Sequence, residues 1–366
     1  MKALLPAWRL HAKAAVVAVA TAVAVLLPNA PAHADGAAPP TLADGFGLTQ
    51  VATEPVIAAK NTPGDFVITV VTPQVTGRHH VRIVLPDGYY TSPGKRYPVL
   101  YLLHGSPGDP ADYFDFSSAV NGSAGMIMVI PDGGSRGWYS NWANQNTVLG
   151  AQNWENFHIN QVIPFIDANL RTIAAREGRS IAGISMGGFG AVHYAERHPG
   201  LFSQVASLSG DLDLSTNEMV LREVVVASLI DANGAICAST TGGCAGDPYA
   251  PGVDSDALYG SPYPVFNADR LWNENDPSAH ADALRGMGVS IYVGNGGGPA
   301  GDVREWWLES ASVHMKQHLD AAGIPLNWQD YGNGVSWGCD GGHDAGCWEQ
   351  DLKDLIPRLQ QAFASS

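Results

Sequence analysis

One serine stands between glycines in "SIAGISMGGFGAVHYAERHPG", residues 180–200. Gly183-Ile184-Ser185-Met186-Gly187 fits G-x-S-x-G, in which a nucleophile occupies a sharp strand-to-helix corner and bulky flanks would clash. A serine hydroxyl is a weak nucleophile without a base and an acid to orient that base. The chain has 42 glycines, so the pentapeptide alone is a weak signal that a plain turn could also give. Its setting decides for chemistry: an apolar, strand-like run precedes Ser185, and helical spacing of Ala191, Tyr194 and Ala195 follows, stopped by Pro199-Gly200.

The base has to be chosen from 12 histidines. In the layout that G-x-S-x-G implies, the order is Ser, acid, His, each after a successive strand. His343 lies in "GCDGGHDAGCW", just after the final strand-like run, in a glycine-rich loop able to reach back over a sheet. His193 and His198 fall on the helix after the serine and are expected to face solvent or cap it. His314 and His318 form an i, i+4 pair without an acidic partner, a solvated face rather than a metal site. Two carboxylates compete for the acid: Asp302, which could be only a helix N-cap, and Glu309 in "EWWLES". The backbone N–H of Ser106, in "LLHGSPGD", and that of Met186 are the expected oxyanion donors. His104 could touch substrate or tie that loop down. Trp138 and Trp337 belong to an aromatic set, with Tyr139, Trp142, Trp306, Trp307 and Trp348, that could line a pocket or pack beneath loops.

The elements that must position these residues alternate strand and helix. Strand-like runs cover 66–73, 79–86, 97–105, 125–134, 179–185, 202–210, 289–295 and 325–334. Helical patterns cover 153–171, the segment after Ser185, 303–323 and 348–363. Such alternation predicts an α/β fold with a mostly parallel sheet covered on both faces. Residues 231–265, rich in Gly, Ser, Asp and Pro, read as an excursion beside the site.

Residues 1–34 read as a secretory signal peptide: basic Lys2, Arg9 and Lys13, an apolar core, and small residues Ala32 and Ala34 around a cleavage site. Residues 35–64 form a Pro/Ala-rich lead-in and 65–366 the catalytic domain. Removing the three cations takes the formal charge from −15 to −18, which disfavours nucleic acid and anionic membrane. No later stretch is long and apolar enough for stable membrane insertion. The four cysteines suggest Cys237 with Cys244 and Cys339 with Cys347, disulfides suited to an exported protein. No metal or other cofactor is expected.

The blocks "YLLHGSPGDPADY", "GWYSNW", "NWENFHINQVIPFID", "GISMGGFGAVHYAERHPGLFSQVASLSGDLD" and "IYVGNG…EWWLES", with the late histidine, stand in the same order as in a secreted esterase family. That family includes esterase D-like enzymes and antigen 85-like mycolyltransferases. The resemblance spans roughly residues 65–363. It implies an α/β-hydrolase fold, a Ser–acid–His triad and a small-molecule, lipid or carbohydrate ester as substrate. It also favours Glu309 as the acid, because Trp307-Leu308-Glu309 resembles the mycolyltransferases' "FLE" stretch. "LLHG" and "SMGG" depart from the mycolyltransferases' "LLDG" and "SMAG" or "SMSG". The expected activity is therefore ester hydrolysis through an acyl-enzyme on Ser185. Acyl transfer to a sugar or glycerol hydroxyl, and a non-catalytic binding role on a hydrolase scaffold, are the alternatives.

Overall fold

A computed structural model describes residues 38–121, 125–230 and 252–365. Among the described residues, nine strands form one sheet: β1 (Thr49–Val51), β2 (Asp65–Val71), β3 (His79–Val84), β4 (Val99–Leu103), β5 (Ile127–Pro131), β6 (Arg179–Ile184), β7 (Gln204–Leu208), β8 (Gly288–Gly294) and β9 (Leu326–Gly332). Their order across the sheet is β1-β2-β3-β5-β4-β6-β7-β8-β9. Pairing is parallel from β5 through β9 and antiparallel among β1, β2, β3 and β5. The sheet is thus the expected mostly parallel α/β sheet, carrying an antiparallel extension at one edge.

The buried strands show why both faces must be covered. In β4, Val99, Tyr101 and Leu103 enter one core cluster, while Leu100 and Leu102 enter the other. β5 divides in the same way, Ile127 and Val129 against Met128 and Ile130. Period-two side chains that are all apolar leave no face for water. Each fully buried aliphatic side chain removes apolar surface worth roughly 1.5–3 kcal/mol.

The helices are α1 (Pro55–Ala58), α2 (Ile163–Asn169), α3 (Met186–Arg197), α4 (Thr216–Ile230), α5 (Arg270–Glu274), α6 (Val303–Ala321) and α7 (Ala345–Ala364). Phe189, Leu308 and Met315 place α3 and α6 in the first cluster, whereas Leu352, Leu355 and Leu359 place α7 in the second, across the sheet. The helical pattern expected over 153–171 holds, but its first half, Asn156–Val162, is π-helical, with the Ile163 N–H donating to the His158 carbonyl. Pro164 follows, without an N–H to continue the ordinary register.

The lead-in is not separate from the sheet, because β1 within it pairs with β2. His80 of β3 ties it further. Its Nδ1 faces Asp109 at 2.8 Å and its Nε2 faces Glu54 at 2.9 Å. Both ring nitrogens meet acceptors, so both donate and the ring is an imidazolium. Burial would lower its pKa, but the Asp109 and Glu54 carboxylates outweigh burial and raise it to about 9. A raised folded-state pKa gives stability that is complete below the unfolded value near 6.5 and is lost as pH rises through about 9. With both carboxylates partly exposed, the contribution is about 1–2 kcal/mol. The urea midpoint of His80→Gln should fall below wild type most clearly at pH 6 and converge with it by pH 10. A gap independent of pH would count against this pairing.

The proposed signal peptide lies outside the described residues, as does the expected Cys237–Cys244 pair. Among the described residues, no helix is long and apolar enough to cross a membrane.

Candidate active site

Ser185 links β6 to α3 with φ 56° and ψ −123°, the left-handed half of backbone space that costs a non-glycine residue about 1–3 kcal/mol. The flanking glycines make the corner possible. A Cβ on Gly183 would lie 2.1 Å from the Gly187 carbonyl oxygen, and one on Gly187 would lie 2.3 Å from that of Leu103. The Ser185 N–H donates to the Leu208 carbonyl at 2.9 Å, anchoring the corner to β7.

His343 Nε2 lies 2.9 Å from Ser185 Oγ, and His343 Nδ1 lies 2.7 Å from Glu305 Oε2. The carboxylate fixes the tautomer: Nδ1 donates to Glu305, which leaves the Nε2 lone pair facing the serine hydroxyl. Glu305 is 0% exposed, and its other oxygen accepts from Ser209 Oγ at 2.7 Å and from the Gly294 N–H at 2.9 Å. Trp348 packs edge-on against the His343 ring, with centroids 5.0 Å apart.

The structure brings Ser185 and His343 together and places Glu305, not Glu309 or Asp302, against the histidine ring. Glu309, one helical turn beyond Glu305, makes no hydrogen bond to His343. It is half-buried, and burial, then Asp330 and Glu305, raise its pKa to about 7. Asp302, the alternative acid, is the N-cap of α6: its Oδ1 accepts from the Arg304 and Glu305 N–H groups. Its Oδ2 accepts from the His343 backbone N–H at 2.9 Å, so it holds the histidine loop rather than the ring. Burial would raise the Asp302 pKa, but the hydrogen bonds from the His343, Glu305 and Arg304 backbone N–H groups outweigh it and hold it below the usual value. The expected Cys339–Cys347 disulfide is present and closes the same loop onto the start of α7.

On the other side of Ser185, the loop after β4 carries Ser106. A Cβ on Gly105 would lie 3.2 Å from the Ser185 Cβ, so this backbone abuts the nucleophile. The N–H groups of Ser106 and Met186 have no hydrogen-bond acceptor among the described residues. Met186 opens α3, whose positive end points at the same place.

His104 ties its loop down, the second of its two expected roles. It is 0% exposed, its Nδ1 donates to the Gly105 carbonyl at 2.8 Å, and its Nε2 accepts from the Gly133 N–H at 2.8 Å. That neutral imidazole staples the loop after β4 to the loop after β5. Asp132, in the latter, accepts from His79 Nδ1 at 2.8 Å, and its carbonyl accepts from His158 Nε2 at 2.8 Å. No sequence pattern announces this buried network, because its members lie far apart along the chain.

Trp138 is equally part of the core: it is buried, donates to Ser228 Oγ at 3.0 Å and meets Phe189 edge-on. Trp337 is partly exposed, stacks on Tyr331 and donates to Asp351 Oδ1 at 2.8 Å. His193 is buried against Phe189 instead of facing solvent, whereas His198 pairs with Glu155 at 2.8 Å.

The family described as "Putative esterase" matches residues 72–359. Esterase Rv1288 of Mycobacterium tuberculosis is 32% identical over 328 residues, covering 87% of this chain. The chain spans only 63% of that relative's length. Diacylglycerol acyltransferase/mycolyltransferase Ag85B of Mycobacterium intracellulare is 26% identical, over 76% of this chain and 79% of its own. The crystal structure of Mycobacterium tuberculosis MPT51 superposes with a TM-score of 0.61 at 20% identity, over 82% of this chain and 98% of its own. It shares the fold.

Proposed function

The chain belongs to this esterase family, and from that premise we propose that it is an exported serine carboxylesterase that works through an acyl-enzyme on Ser185. The observation that carries the reading is the continuous Ser185–His343–Glu305 hydrogen-bond line.

Ser185 Oγ attacks the ester carbonyl while His343 Nε2 takes its proton. The oxyanion that forms is held by the N–H groups of Ser106 and Met186, which need no reorganisation because the folded loop and helix start already aim them. His343 then gives the proton to the departing alkoxide. A water molecule, deprotonated by His343, releases the acid and restores Ser185. Glu305 keeps Nδ1 protonated throughout and stabilises the imidazolium.

The acyltransferase names among the relatives supply a second reading, in which a sugar or glycerol hydroxyl captures the same acyl-enzyme. The mature chain should be incubated with p-nitrophenyl esters of graded length, with and without trehalose or glycerol, and the acyl products identified by mass spectrometry. Free acid as the main product, unaffected by acceptor, is expected. Acylated trehalose or glycerol as the main product would make the protein a transferase. A protein that never labels with a fluorophosphonate would instead favour the binding role.

A further inference from the structure

Asp211 belongs to no part of the machinery described so far, yet it lies beside it. Two residues before it, Ser209 holds Glu305 at the end of β7. Gly210 packs on the first turn of α3, where a Cβ on Gly188 would lie 2.8 Å from the Gly210 Cα. Asp211 is therefore pinned between the acid and the helix that begins at the nucleophile. It is only 4% exposed.

Its carboxylate makes no hydrogen bond or ion pair with another described residue, whereas neighbouring Asp213 is fully engaged with Ser215, Thr216 and His314. Nor is it among the sealed, unpartnered polar atoms of the interior. The residue keeps a small exposed fraction, so it is not wholly sealed from solvent. His343, Arg304 and Glu305 are the charged groups that act on it, with its own N–H. Burial, opposed by His343 and Arg304, raises its pKa to about 6, so near neutral pH an ionised, nearly enclosed carboxylate has no donor beyond its own N–H. Leaving a buried acceptor unmatched costs free energy that a bound hydrogen-bond donor would recover.

The sheet order says which part of a substrate meets it. The loop bearing Ser106 follows β4, on one side of β6. Asp211, Glu305 and His343 follow β7, β8 and β9, on the other side. The carbonyl oxygen turns towards the Ser106 side, and the leaving oxygen must face His343. Groups carried by the alcohol therefore lie on the side of Asp211.

We propose that Asp211 is a specificity-determining residue that accepts a hydrogen bond from a hydroxyl on the alcohol moiety of the ester. The proposal rests on the serine-esterase reading above. It makes the favoured substrates esters of hydroxylated alcohols, because an alkyl alcohol of the same size leaves the carboxylate unmatched.

The test compares 2-hydroxyethyl butyrate with n-propyl butyrate, which share the acyl group and differ by one hydroxyl in place of a methyl. Wild-type kcat/KM should favour the hydroxylated ester by about tenfold or more. In Asp211→Ala and Asp211→Leu that ratio should fall to within about twofold of unity, with circular dichroism reporting the fold. A wild-type ratio near unity would overturn the proposal without any variant. So would a ratio that survives in either folded variant. Failure of the esterase reading looks different: neither ester is hydrolysed and a fluorophosphonate does not label Ser185.

Discussion

Ser185→Ala is expected to lower ester turnover by about 10⁴-fold or more and to abolish fluorophosphonate labelling, while the far-ultraviolet spectrum is unchanged. The loss is large because nothing nearby can replace the hydroxyl. His343 Nε2 is aimed at that oxygen, 2.9 Å away. The N–H groups of Ser106 and Met186 remain in the variant, so a residual rate above that of water is expected from transition-state binding alone. Stability should change little. The corner is set by Gly183, Gly187 and the bond from the residue 185 N–H to Leu208, none of which uses the hydroxyl. Near-wild-type hydrolysis by the folded variant, measured at matched concentration of folded protein, would remove Ser185 as nucleophile.

Ser185 and His343 are legible in the sequence for a local reason. A small-residue corner between an apolar run and a helical pattern serves few purposes besides presenting a nucleophile, and a glycine-rich loop after the last strand can reach only the sheet's carboxyl edge. β4 and β5 are legible because uninterrupted apolar runs of about five residues must be buried on both faces. The antiparallel edge is only half visible: β2 and β3 read as paired strands, but β1 is three residues long and carries no pattern of its own. Helix α4 escapes a reading by periodicity, since its β-branched run Val224-Val225-Val226 is strand-like. His104 shows a different limit. A histidine after a strand has the same sequence signature whether it meets a substrate or two backbone groups. Only the positions of Gly105 and Gly133 separate the cases.

Glu305→Gln should cost about 10⁴-fold in kcat, whereas Glu309→Gln should stay within a few-fold of wild type. Residues 305 and 309 are four apart on α6 and so share one helix face. Spacing therefore cannot rank them, and the likeness of Trp307-Leu308-Glu309 to a relative's motif points one turn too far along. Depth ranks them. Glu305 occupies the third position after the Asp302 cap, under the end of β8, where the Gly294 N–H and Ser209 hydroxyl both donate to its Oε1. A glutamine there would keep its carbonyl oxygen on those two donors and turn its NH₂ towards His343 Nδ1. That nitrogen would then have to accept, the proton would move to Nε2, and the ring could no longer take the Ser185 proton. Glu309 has neither the contacts nor a fixed charge, since burial beside Asp330 and Glu305 raises its pKa to about 7. Asp302→Asn tests the remaining carboxylate: losing the charge that caps α6 and holds the His343 N–H should cost about 0.5–2 kcal/mol of stability and far less in kcat than Glu305→Gln. Steady-state rates normalised by titrated active sites decide the order. A larger loss in Glu309→Gln than in Glu305→Gln would mean that the helix meets the histidine one turn further along during turnover.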